Sequence, residues 1–227
     1  MIKNGFTLAE VLITLVIIGI IAAMTIPNLI NRTDEQEKVV AVKKSFSVLS
    51  QAYKRLIADM GEITTYSLGS NNTEATENFG KLITPYFNTQ QVCGMAVNEG
   101  CFPSPNKLMS GQDGIDYDSN SNYFKMRLSD GSSVLFSVYS GPLVKGTSIG
   151  LDSTFGWIMV DINGDKGPNT MGKDNFSFWI TKYGIVPFGS PFDNDHPLEN
   201  CRTLGFSCAA WVITKGNMDY LKEDVSW

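Results

Sequence analysis

Hydrophobic positions fall along this chain in three regimes. From Phe6 to Ile26 they are almost continuous, 21 residues with a single charge at Glu10. After Pro27 the spacing changes: Val39, Val42, Phe46, Leu49, Tyr53, Leu56/Ile57 and Met60 recur at three- and four-residue steps, with Lys38, Lys43, Lys44, Lys54 and Arg55 among them. This is the period of an amphipathic helix, and Gly61 is a natural stop for it. The spacing predicts one helix over 6–60, about 80 Å long at 1.5 Å per residue, with 6–26 apolar all round and 28–60 amphipathic. A bend is expected near Pro27, which lacks a backbone donor.

The third regime begins beyond residue 60. Residues 61–122 read as loop-rich, with the polar stretches SLGSNNTEATEN and SGQDGIDYDSNSN and a short helix at 79–87 (FGKLITPYF). Strand patterns follow. Tyr123 to Leu128 and Val134 to Tyr139 flank an Asp130-Gly131 turn and predict a hairpin. Gly156 to Asp161 and Asn175 to Thr181 predict two more strands, and Ile185 to Phe188 an edge. Residues 208–215 (CAAWVITK) suit either a short helix capped by Gly216 or a last strand. A long helix followed by antiparallel strands, with no βαβ alternation, predicts an α+β fold: a long bent N-terminal helix packed on an antiparallel sheet. Residues 61–227 are long enough for one domain with its own core.

The apolar run is long enough to span a bilayer. It is too long for a secretory signal peptide, and Met24-Thr25-Ile26-Pro27 is a poor processing site. A plain signal anchor would leave Lys3 in the cytoplasm and export the rest. That reading leaves Glu10 unexplained, because a carboxylate inside a span costs about 2.5–3.5 kcal/mol near its centre. No Lys or Arg lies between Lys3 and Arg32, so any counter-charge must come from another molecule.

Gly5-Phe6-Thr7-Leu8-Ala9-Glu10, behind a short charged leader, resembles the processing site of type IV prepilins and of the pseudopilins of type II secretion. Gly19 and Pro27 also stand where those families commonly place a Gly and a Pro. The resemblance covers about residues 1–30. It implies a leader of residues 1–5, cleavage between Gly5 and Phe6 by a prepilin peptidase, and N-methylation of Phe6. It implies that Glu10 attracts the Phe6 amine of a neighbouring subunit during assembly, so that assembly itself supplies the missing counter-charge.

Charge sharpens this picture. Residues 1–60 hold seven Lys/Arg against five Asp/Glu, whereas residues 61–227 hold 11 against 18. An acidic head is a poor match for nucleic acid, whose affinity rests on neutralising phosphates. Cys93, Cys101, Cys201 and Cys208 form two local pairs in sequence. Four cysteines allow three connectivities; the local one closes the shortest loops and is the one expected. An exported head suits disulfides. Zinc is disfavoured, since the spacings are wrong and His196 is the one histidine of the chain.

Two loops carry candidate chemistry. In DINGDKGPNTMGKD, Asp161, Asn163 and Asp165 alternate, with Asn169 and Asp174 downstream. Oxygen side chains in this pattern suit a hard cation such as Ca²⁺, and some pseudopilins bind calcium in a loop of the head's sheet. It is not an EF-hand: Lys166 replaces the required Gly, and Gly172 stands where a bidentate Glu belongs. Turn chemistry alone accounts for the same Gly, Asn and Pro residues. The run Asp116, Asp118, Asn120, Asn122 also alternates and reads as a solvated loop. GTSIG matches the G-x-S-x-G nucleophile motif, and Asp195 and His196 are available partners for Ser148, but no helix pattern follows Ser148. The tryptophans read as core and sheet-face residues.

The expected function is therefore non-enzymatic: a structural subunit of a type IV pilus or type II secretion pseudopilus. Its partners would be further copies and related pilins, the prepilin peptidase/methylase and an inner-membrane assembly platform. It would cross the inner membrane once with its N-terminus cytoplasmic, then enter a filament in the periplasm or at the cell surface. The alternative is a signal-anchored exported domain with a ligand-binding or hydrolytic head.

Overall fold

The computed structural model describes residues 7–63, 68–143 and 153–227, apart from the side chains of residues 28, 31 and 143. The chain divides into two compact units, Met1–Glu37 and Lys38–Trp227. Helix α1 (Leu8–Met60) continues through Gly19 and Pro27. In the first unit its large apolar side chains, Leu8 to Ile30, are exposed. The helix is long and apolar enough to cross a membrane. Thr14 and Thr25 turn their hydroxyls back onto the carbonyls of Val11 and Ile21, so each satisfies its own polar group along an apolar surface.

The second unit is built on a six-stranded antiparallel meander whose spatial order is its chain order: β1 (Thr89–Gly94), β2 (Phe124–Leu128), β3 (Ser133–Leu143), β4 (Thr154–Asp161), β5 (Asn175–Thr181) and β6 (Gly184–Pro187). The fold is α+β, as the sequence predicts. One face of the sheet carries Met126, Val134, Phe136, Ile158, Val160 and Phe178 into the main core. The α1 residues Val39, Val42, Leu49, Tyr53 and Leu56 join that core; Met60, expected on the same stripe, is exposed at the helix end. Phe46 stacks on Phe178 at 5.9 Å, and the Tyr53 hydroxyl donates to the Thr181 carbonyl at 2.8 Å.

The other face is also covered. Leu135 and Met159 point to it and meet Phe102, Tyr117 and Met171, which come from loops. Trp179 packs there on Phe188. Burial on both faces explains why β5 is buried at all seven positions instead of alternating.

Helix α2 (Asn72–Ile83) corrects the polar loop expected at its start. Asn71 caps it, accepting the Glu74 N–H at 3.0 Å, while Glu74 reaches back to the N–H and hydroxyl of Ser70. This is a capping arrangement written in the sequence as Asn-x-x-Glu. A Cβ at Gly80 would lie 2.2 Å from the Phe124 ring, so glycine lets α2 pack directly on β2. Strand β1, absent from the expected elements, pairs with β2 through two irregularities and shows no buried face. The ambiguous segment near 208–215 is a helix. Two short helices, α3 (Asn200–Thr203) and α4 (Ala209–Lys215), fill the C-terminal region, and Gly216 ends α4 in the left-handed conformation.

Candidate functional site

Gly5 and Phe6 lie outside the described residues. At the start of α1, the Thr7 N–H and hydroxyl both donate to Glu10 Oε2 at 2.8 Å, and the Glu10 N–H donates back to Thr7 Oγ1 at 3.3 Å. This reciprocal pattern is a capping box. Its Thr-x-x-Glu spacing is legible in the sequence at the head of the apolar run, where the hydrophobic pattern masks it. Within one chain, then, Thr7 satisfies one carboxylate oxygen and fixes where Glu10 points.

A second constellation closes the β4–β5 hairpin, where Asp161 and Asn175 face each other at the mouth of the loop. Asp161 is fully buried. Its Oδ1 accepts the Asn163 N–H at 3.1 Å, and the Gly164 N–H also bonds the carboxylate. Its Oδ2 has no hydrogen-bond partner. Asp174, also buried, accepts the N–H groups of Thr170 and Asn169 at 2.5 and 2.8 Å, and the Asn163 side chain bonds it as well. Burial, with the Asp174 charge added to it, pushes the Asp161 carboxyl up to about 8. Burial likewise raises Asp174, against the pull of its backbone donors and of Lys38 on α1.

Three amide oxygens of the same region, Asn163, Asn169 and Asn175 Oδ1, are buried and unpartnered. With Asp161 Oδ2, four buried oxygens of this hairpin end lack a partner within the protein, whereas buried polar atoms are ordinarily hydrogen-bonded. The structure brings Asp161, Asn163, Asn169 and Asp174 together, but it takes Asp165 out of the set. Asp165 forms a two-pronged ion pair with Arg127 at 2.6 and 2.8 Å and is largely exposed; that hydrogen bond holds its carboxyl below the usual range. Alternation placed Asp165 with Asp161 and Asn163, but Arg127, on β2, lies outside the loop and was invisible to that reading. Among the described residues, no group of three or more His, Cys, Asp or Glu side chains is arranged to hold a metal.

The remaining candidates separate. Cys93 bonds Cys101 and Cys201 bonds Cys208. Ser148 lies outside the described residues. The His196 ring stacks on Phe188 at 4.2 Å and lies 5.2 Å from Trp179, while its backbone N–H donates to Asp193. Trp227 is tied down through its indole N–H to the Gly189 carbonyl at 3.1 Å.

Comparison with known proteins adds one finding. A model of the prokaryotic N-terminal methylation motif matches residues 1–26. No curated protein and no solved structure matches the chain. The matched segment is the one in which Glu10 sits as the sole charge between Lys3 and Arg32, and through it the chain carries the hallmark N-terminus of the type IV pilin and pseudopilin family.

Proposed function

We propose that this chain is a filament subunit, of a type IV pilus or a type II secretion pseudopilus. A prepilin peptidase cuts it after Gly5 and methylates Phe6. The first part of α1 crosses the inner membrane, then joins the bundle at the filament core with Gly19 and Pro27 as its points of flexure. Residues 61–227 form the exported head. The methylation motif carries this reading, supported by an apolar helix surface exposed along its length. Exposed apolar surface of that extent demands lipid or other helices.

The test is intact mass and N-terminal sequencing of the protein from membranes of a host that has a prepilin peptidase. A chain beginning at Phe6 and heavier by one methyl group is expected. A chain still beginning at Met1 would return it to the signal-anchored alternative.

The β4–β5 loop is proposed as a calcium site of the head, with Asp161, Asn163, Asn169 and Asp174 supplying oxygens. The unpartnered buried oxygens support it, since a hard cation takes six to eight oxygen ligands. Saturating calcium is expected to stabilise the head by about 2–3 kcal/mol at a hundredfold excess over Kd, read as a higher melting temperature that a chelator reverses. An unchanged melting curve removes the site.

The pH dependence has a definite sign. Asp161 titrates near 8 in the ion-free head, above its ordinary value of 3.8. Folding therefore takes up a proton between these limits. This contribution to stability is complete below the ordinary carboxylate range and is lost as pH rises through about 8. Calcium must displace that proton, so the gap between calcium-loaded and chelated melting temperatures should widen as pH rises toward about 8.

A further inference from the structure

Between β1 and β2, residues 95–123 form a strap that lies over the outer sheet face, placing Phe102 and Tyr117 on it. Its central part is the run that alternates Asp116, Asp118, Asn120 and Asn122. Those side chains do not face solvent idly. Asp116 Oδ1 accepts the N–H groups of Asp118 and Ser119, and Asn120 Oδ1 accepts that of Asn122. The side chains thus fold the loop on itself and turn its carbonyls inward, as the backbone of a cation-binding loop is turned.

What fills the inside is Lys125 of β2. It is completely buried. Its ammonium donates to the carbonyls of Asp118 and Asn120 at 3.0 and 2.9 Å, and to that of Tyr117 at 3.4 Å. An ammonium has three donors and no acceptor, and all three are spent on carbonyls of one loop. Burial holds the Lys125 ammonium below the ordinary lysine range, and the carboxylates of Asp118 and Asp116 counter part of that shift. Asp118 passes the restraint on, accepting the N–H groups of Gly100 at 2.9 Å and Phe102 at 3.3 Å, on either side of the disulfide-bonded Cys101.

We propose that the Lys125 ammonium is the built-in cation of the 116–122 loop, filling the place a bound metal ion takes in other oxygen-rich loops and holding the strap shut whatever ions surround the head. The two alternating loops of the sequence then differ in kind. One carries its own cation on a tether; the β4–β5 loop has oxygens left over. The inference stands independently of the calcium reading.

The test is chemical rescue, read by hydrogen exchange of the strap amides in the full-length protein. Lys125→Met keeps a stem of similar length and removes the charge; exchange across the strap should quicken by roughly tenfold or more, since several buried carbonyls lose their donor. Lys125→Ala removes the stem together with the ammonium. Adding n-propylammonium, which is the deleted fragment, should restore slow exchange at constant ionic strength. Tetramethylammonium, which has no N–H, should not.

If Lys125→Ala does not fold alone, its refolded fraction against propylammonium gives the same reading. A Lys125→Met strap exchanging as slowly as the parent overturns the proposal. So does an alanine variant that propylammonium leaves unchanged, or that both ions rescue equally. Calcium chelation should leave strap exchange in the parent protein unchanged; faster exchange would show that the loop depends on an outside ion after all.

Discussion

Glu10→Gln is expected to be cut and inserted like the parent chain and yet fail to enter filaments. A carboxylate within an apolar span is unfavourable by about 2.5–3.5 kcal/mol near its centre, so neutralising it should ease insertion. Glutamine also keeps the capping box, because a Thr-x-x-Gln pair retains the acceptor for the Thr7 N–H and hydroxyl. What it removes is the charge that would pair with a neighbour's Phe6 amine. Taking one partner from a buried ion pair costs on the order of 3–5 kcal/mol, and in a filament that loss recurs at every subunit.

Processing measured by mass, and assembly measured by the yield of sheared filaments, separate the two stages. Filaments at parental yield would remove the charge-pairing account. Thr7→Ala is the matching control: it strips the cap and keeps the charge, so it should weaken the start of α1 by about 1 kcal/mol without abolishing assembly.

Gly205→Ala is expected to destabilise the head by about 2–5 kcal/mol. Gly205 has φ +87°, and a Cβ there would lie 2.2 Å from the Met171 carbonyl oxygen. The obstacle is backbone, so no side chain can rotate out of the way. Left-handed geometry costs a residue with a Cβ about 1–2 kcal/mol, and forcing apart a close-packed contact adds about 1–3 kcal/mol. For a unit of this size that is a fall of roughly 10 °C in melting temperature. The consequence is not local, because Met171 is buried beneath the outer face and the Tyr220 hydroxyl donates to the next carbonyl, Gly172, at 2.8 Å. Gly100→Ala is the control: its φ is also positive, but nothing lies within 4 Å of the added Cβ, so only the conformational cost applies. Equal losses in the two variants would show that the Met171 contact is irrelevant.

The elements that could be read in advance are those whose signal is short in range. The Asp130-Gly131 turn between apolar runs gave the β2–β3 hairpin, and β4 and β5 stand where the apolar runs placed them. The first half of α2 was hidden by composition, since SNNTE looks like loop until Asn71 and Glu74 are seen as a cap. Strand β1 offered nothing to read: it is an edge strand with two irregularities and no buried face, so TQQVCG has no alternation. In the β4–β5 loop, alternation correctly picked out Asp161 and Asn163 as neighbours, but Asp165 left the group for an arginine 38 positions away in sequence.

What the sequence alone determined is the N-terminal programme. The N-terminal methylation motif, the unbroken apolar run and the single carboxylate at Glu10 are all written within 26 consecutive residues. No packing is needed to interpret them, because each is a matter of composition and spacing within one short segment. The tertiary structure decided the head's chemistry. Lys125, exposed on any compositional expectation, is buried because β2 carries it beneath a loop that arrives from the other side of the strand. Asp161 is pushed up to about 8 because the hairpin sets it beside Asp174 and away from water. Charge, burial and hydrogen bonding at these positions are properties of which segments meet, and that is fixed only when the sheet has formed.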